Sequence, residues 1–338
     1  MTTLPRTLNE LVAQRLDRRG FLQGGLALSV GAAAFYVTGC GSGDEATSAT
    51  PGATLSALTP TSVAGTPVAG GVTPVLLTGE FVVDRQNRFL VGLLDADNEL
   101  LRNAKVDLKF FTVNADGASG KLRGEGTAAY FELQLPEDAS AVGTALGEKV
   151  GFYSVTTPFD VAGKWAVEIS ATPPGASEAS TVQAAFDVYD QYRIPGVGTV
   201  PPASQNDTAA TNPNTASLCS RVPACSLHDT VIGDVLGKGR PLVVQFSTPA
   251  FCETRFCGPV LDVLLEEVPA YQDRIDFVHI EVWQDFQLKQ YRPATQEWTL
   301  PTEPITFFMG PDGKVVSFLE SIFSQEELQA ALDGLTAL

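Results

Sequence analysis

Five cysteines and two histidines carry most of the nucleophile and ligand chemistry open to this 338-residue chain: Cys40, Cys219, Cys225, Cys252 and Cys257, with His228 and His279. Cys252 and Cys257 fall between a continuous apolar run, Leu242-Val243-Val244-Gln245-Phe246, and an apolar-faced helical stretch, Pro259 to Val268. A strand-to-helix junction suits a reactive sulfur. The unpaired N–H groups and partial positive charge at a helix start favour thiolate over thiol. Arg255 adds cationic character, and Pro259, lacking an N–H, loses nothing in a first turn. The five-residue step is a constraint. On a straight helix it turns about 500° and rises about 7.5 Å, beyond disulfide reach. A bridge therefore needs Cys252 in the loop, or a locally unwound first turn.

Around these sulfurs the hydropathy pattern marks two bodies. Residues 217–338 continue with strand Ile275–Val282, an irregular piece through Trp298, strand Ile305–Met309, turn Gly310-Pro311-Asp312-Gly313 and strand Lys314–Leu319. A closing helix opens with Ser324-Gln325-Glu326-Glu327, a capping box. Residues 76–190 instead read as about seven short strands. Val106, Leu108 and Phe110 alternate there, as do Trp165, Val167, Ile169 and Ala171, then Val182, Ala184, Phe186 and Val188. Gly79–Val83, Phe89–Leu94, Ala128–Leu135 and Phe152–Thr156 complete the set. Residues 40–75 and 191–216 are rich in Thr, Ala, Ser, Gly and Pro, so both are expected as linkers. Composition (44% hydrophobic, 18% charged) excludes a coiled coil, a wholly disordered chain and a polytopic membrane protein. The net charge of −17 repels phosphate backbones, so no nucleic-acid partner is expected.

The N-terminus has the form of an address. Asp17-Arg18-Arg19-Gly20-Phe21-Leu22, ahead of a short apolar run to Tyr36, resembles a twin-arginine export signal. Val37-Thr38-Gly39-Cys40 resembles a bacterial lipobox. Together they imply removal of residues 1–39 and diacylation of Cys40. The cell-membrane location that follows is lipid-anchored, on the extracytoplasmic face. Export into an oxidising compartment makes Cys219 and Cys225, six apart, an expected structural disulfide at the start of the second domain. Gly163-Lys164-Trp165 resembles the late strands of bacterial immunoglobulin-like lipoprotein domains.

The second body resembles the thioredoxin superfamily in element order, in the Cys pair at its first strand–helix junction, and in Glu303-Pro304-Ile305-Thr306 before its hairpin. The family's cis-proline stands there, which assigns Pro304, with Cys252 and Cys257, to the catalytic positions. The resemblance thus implies an all-β immunoglobulin-like sandwich (76–190) followed by an α/β thioredoxin-like domain (217–338) with helices on both sheet faces. The implied activity is thiol–disulfide exchange with protein thiols or disulfides outside the cytoplasm. The pair is Cys-x4-Cys where thioredoxins have Cys-x2-Cys, and Gln245 stands in place of their buried strand Asp. Two other readings stay open. One is a non-catalytic binding or scaffold lipoprotein stapled by a structural disulfide. The other is an atypical two-Cys peroxidase, since Thr248-Pro249 ahead of Cys252 resembles the bacterioferritin-comigratory peroxiredoxins. Sco-type copper chaperones pair Cys-x3-Cys with a distant His, and neither His228 nor His279 follows their pattern. No cofactor and no metal is expected.

Overall fold

The structure is a computed structural model that describes residues 71–97, 99–134, 149–252 and 256–338. The expected export signal 1–39, Cys40, the expected linker up to residue 70 and Arg255 lie outside the described residues.

Two antiparallel sheets come first. One consists of β1 (Thr73–Leu76), β2 (Gln86–Leu94), β5 (Ala129–Gln134) and β6 (Lys149–Pro158), ordered β1-β2-β6-β5. The other consists of β3 (Lys105–Val113), β4 (Ser119–Thr127), β7 (Gly163–Thr172) and β8 (Ser180–Val188), ordered β4-β3-β7-β8. Side chains two apart on a strand share a face, so Val106, Leu108 and Phe110 turn into one core with Trp165, Val167 and Ile169. Its centre is aromatic: Phe89 meets Phe81, Phe110 and Phe186 at ring separations of 5.4, 5.1 and 5.4 Å. Gly79–Val83, expected as a strand, makes only an isolated bridge from Val82 to Tyr189.

A third sheet, ordered β10-β9-β13-β14, joins β9 (Leu242–Ser247), β10 (Asp276–Glu281), β13 (Ile305–Met309) and β14 (Val315–Glu320). β9 and β10 run parallel, whereas β13 is antiparallel to β9 and β14. A ribbon of β11 (Trp283–Asp285) and β12 (Gln290–Tyr291) is the fourth sheet. Five helices are present among the described residues: α1 (Thr215–Leu218), α2 (Ile232–Val235), α3 (Cys257–Tyr271), α4 (Pro293–Glu297) and α5 (Gln325–Thr336). The capping box of α5 is formed, with Glu327 N–H donating to Ser324 Oγ at 3.1 Å and Ser324 N–H to the Glu327 carboxylate at 3.0 Å.

This architecture corrects the expected fold class of a sandwich followed by an α/β thioredoxin-like domain. The protein is mostly β, in four small sheets, with about 39% of the described residues in strands and 16% in helices. The α/β expectation needs helices on both faces of the sheet. Here α3 and α5 share one face, where Val260, Leu264, Leu328 and Leu332 pack with Val243 and Phe308. The opposite face is covered by Ile194, Tyr291, Trp298 and Leu300, on coil, ribbon and one-turn elements. Pro293 opens α4 at its first position, and Thr299, with a left-handed φ of 53° just past the C-cap Trp298, ends it after five residues.

The sheets at the start of the described chain are tied to this third sheet. Leu90, Leu133, Val150 and Phe152, on the first sheet, belong to the same core as α3 and α5. Arg88 on β2 grips Glu327 through Nε (2.7 Å) and Nη2 (2.9 Å) and also donates to the Ile322 carbonyl at 2.7 Å. Buried Glu320 accepts from the Gly79 and Glu80 N–H groups at 2.9 and 3.1 Å. Burial pushes its pKa up to about 7, and those two donors only partly offset the shift. The 191–216 segment, expected as a linker, carries buried contacts of its own. Ile194 and Ser204 are buried, and Trp298 Nε1–H donates to Ser204 Oγ at 3.1 Å.

Candidate functional site: two cysteine pairs at one sheet edge

Every residue of β9 is buried, and the chain leaves it through Thr248 into the loop that ends at α3. Cys257 is the first residue of α3, so Cys252 lies in the loop, one of the two arrangements that a five-residue bridge allows. The two are disulfide-bonded, with Cα atoms 5.9 Å apart. Exposure differs between them: Cys257 is fully buried, and Cys252 is 6% exposed. Beside them Phe251 is about half exposed and stacks on Phe286 at 4.9 Å, with Trp283 edge-on to Phe286. Ile305 pairs with Phe246 across β13 and β9, so Pro304 falls level with Ser247 at the strand end from which this loop departs. The Glu303–Pro304 peptide is cis.

Cys219 and Cys225 are arranged differently. Expected as a structural disulfide, they are free thiols in the structure, turned toward His228 and His279. The segment that carries them runs along β10, the edge strand, and is fastened at both ends. The Ser220 N–H donates to the Glu281 carboxylate at 2.7 Å, and the His279 N–H donates to the Leu227 carbonyl at 3.0 Å. Between these points Arg221 pairs with Asp262 on α3 at 2.8 Å. Cys219 ends α1, its N–H bonded to the Thr215 carbonyl. His279 therefore projects from a rigid strand into a loop that supplies two sulfurs and a second imidazole.

The polar atoms converge. Cys225 Sγ lies 3.2 Å from His228 Nε2 and 3.4 Å from His279 Nδ1, and Cys219 Sγ lies 3.7 Å from His279 Nδ1. The two imidazole nitrogens are 3.4 Å apart. Within the pair the Cys219 thiol is held low, chiefly by its hydrogen bond with Cys225 and then by the two histidines. Cys225 is pushed up by that same hydrogen bond and by burial. A small cavity lined by Leu218, His228, His279, Glu281 and Arg292 adjoins the cluster.

The two loops touch: the Ala250 N–H, two residues before Cys252, donates to Ser220 Oγ, one residue after Cys219, at 3.0 Å. In the sequence these cysteines and histidines stand as separate features. Cys219-x5-Cys225-x2-His228 is a legible ligand spacing, but nothing local announces that His279, some fifty residues on, completes it. No family model matches the chain, and no curated protein matches it.

Proposed function

We propose that the chain is a membrane-anchored, extracytoplasmic thiol–disulfide oxidoreductase that works through Cys252 and Cys257. The observation that carries this reading is a closed disulfide between a loop sulfur and the first residue of a fifteen-residue helix, with exposure graded across the pair. In the reduced form, Cys252 thiolate attacks one sulfur of a partner disulfide. A mixed disulfide forms and one partner thiolate leaves, taking a proton from water. Cys257 thiolate, favoured by the N–H groups of α3, then attacks Cys252 Sγ and releases the second partner thiol. Two electrons pass to the partner and the Cys252–Cys257 bond closes; run backward, the same steps oxidise a protein dithiol. Exposed Phe251 and Phe286 give an apolar rim beside Cys252, where a partner chain can seat. The anchor in this proposal rests on Val37-Thr38-Gly39-Cys40, and mass spectrometry of the membrane-extracted protein should find lipid on an N-terminal Cys40.

Burial of both cysteines favours a second reading, an inert staple in a binding lipoprotein. Trapping separates the two. Cys257→Ser should accumulate a covalent adduct with exported protein thiols, and Cys252→Ser should not. A bridge that resists reduction until the chain unfolds, with no adduct in either variant, would establish the staple.

A further inference from the structure

Four side chains that the exchange reading does not use lie in one place. Cys219 Sγ, Cys225 Sγ, His228 Nε2 and His279 Nδ1 all fall within 4.8 Å of one another. Their separations carry information. A tetrahedral ion bonded to sulfur at about 2.3 Å and to nitrogen at about 2.0–2.1 Å sets its ligands roughly 3.3–3.8 Å apart. The sulfur–nitrogen separations of 3.2, 3.4 and 3.7 Å and the nitrogen–nitrogen separation of 3.4 Å trace such edges. Neither a disulfide nor a chain of hydrogen bonds requires two imidazole nitrogens to face each other and two sulfurs at once.

The outer contacts agree. His279 Nε2 lies 2.9 Å from Ser247 Oγ and 3.2 Å from the Ser247 carbonyl. An Nε2–H given to that carbonyl leaves Nδ1 as the lone-pair nitrogen, aimed at the sulfurs, the tautomer control that ligating histidines generally have. Charge agrees as well. Three of the four residues are buried and Cys225 is half-buried, and a divalent ion with two thiolates and two neutral imidazoles is a neutral assembly, cheap to bury. The donor set of two sulfurs and two nitrogens, in a closed tetrahedron, suits zinc.

We propose that Cys219, Cys225, His228 and His279 form a tetrahedral zinc site that fastens the 219–228 loop to the edge of the third sheet. Binding exchanges the two S–H protons for one Zn²⁺, with no electron transferred. The proposal stands apart from the exchange reading, since its ligands exclude Cys252 and Cys257.

The test uses the reduced, chelator-treated full chain titrated with Co²⁺. One equivalent should bind with the intense visible bands and sulfur-to-cobalt charge transfer of a tetrahedral site, and Zn²⁺ should displace it. Cys252→Ser/Cys257→Ser should keep that spectrum, and Cys219→Ser/Cys225→Ser should lose it. In the wild-type chain, Zn²⁺ should protect Cys219 and Cys225 from alkylation, mapped by peptide mass spectrometry, so the result does not depend on a variant folding. Absence of tetrahedral bands in the wild-type chain, a spectrum that survives loss of Cys219 and Cys225, or alkylation unaffected by Zn²⁺ would each overturn the site.

Discussion

Cys252 and Cys257 are five residues apart, Cys219 and Cys225 six, and the two pairs belong to loops joined by a hydrogen bond. One pair is a disulfide and the other two free thiols. Spacing does not account for the difference; the neighbours do. Cys257 is buried at the start of α3, and its sulfur is bonded to the loop sulfur of Cys252. Cys219 and Cys225 meet two imidazole nitrogens, one carried by β10 and the other by their own loop. A sulfur whose partner is another sulfur can close a bond, whereas two sulfurs beside two imidazole nitrogens can share an ion. The first arrangement suits electron exchange and the second suits ligation.

The largest expected effect is that of metal on stability. At a free Zn²⁺ concentration a thousand times its dissociation constant, the chain should gain about 4 kcal/mol, because the unfolded chain holds no preformed site. Thermal melts with Zn²⁺ and with chelator should show the shift in the wild-type chain and none in Cys219→Ser/Cys225→Ser. Equal shifts in both would break the distinction between the pairs.

A pH series sharpens this by sign. Glu320 is raised from the usual 4.5 to about 7 by burial. Its folded form therefore holds a proton that the unfolded form has released. That stabilisation is complete below pH 4.5 and is lost as pH rises through 7, a decline of roughly 3 kcal/mol. Metal-linked stability runs the other way, since the ligands must lose protons to bind. Melts with chelator at pH 5 and pH 8 should show the decline, and Glu320→Gln should flatten it while leaving the Zn²⁺ increment intact. A decline that persists in Glu320→Gln would place the titration elsewhere.

Reduction of the Cys252–Cys257 bridge comes next. It closes a loop of only five steps, so its loss should cost roughly 2 kcal/mol of stability. Urea unfolding of Cys252→Ser/Cys257→Ser against the oxidised wild-type chain measures this. A loss several times larger would mark a bridge that organises the whole sheet edge and would favour the staple over the exchanger.

How far these features could be read from sequence follows from how local their causes are. Strands β3, β7 and β8 announce themselves by alternation, and α5 by its capping box, because each signal lies within a few residues. β4 (Ser119–Thr127) carries no such signal: its burial pattern has no fully buried position, and pairing with β3 makes it a strand. The layering is non-local for the same reason. Periodicity shows that a helix has an apolar face but not which side of the sheet it meets, and here α3 and α5 meet the same side. At the site, helix geometry alone narrows a Cys252–Cys257 bridge to a loop position for Cys252 or an unwound first turn. The ligand cluster has no such local cause, since His279 joins it only through the pairing of β10 with β9 and the Leu227 contact.

The smallest expected effect asks whether the two pairs act independently. Ser220 stands between them: its N–H is bonded to Glu281 on β10, its hydroxyl accepts from Ala250, and its chain neighbour is Cys219. An ion on Cys219 would fix Ser220 and, through that bond, the start of the loop that holds Cys252. One neutral hydrogen bond contributes about 1 kcal/mol, which limits the coupling to roughly five-fold. Zn²⁺ should therefore shift the equilibrium of the Cys252–Cys257 disulfide with glutathione by a few-fold. By linkage, reduction of that disulfide should shift Zn²⁺ affinity by the same factor. Ser220→Ala keeps all four ligands and both exchange cysteines but removes the bond, so both factors should fall to one. Factors unequal to each other would show that a third process is being measured. A factor of one in the wild-type chain would mean that the pairs share an edge of the sheet and nothing else. A factor unchanged in Ser220→Ala would route the coupling through the Arg221–Asp262 pair on α3 instead.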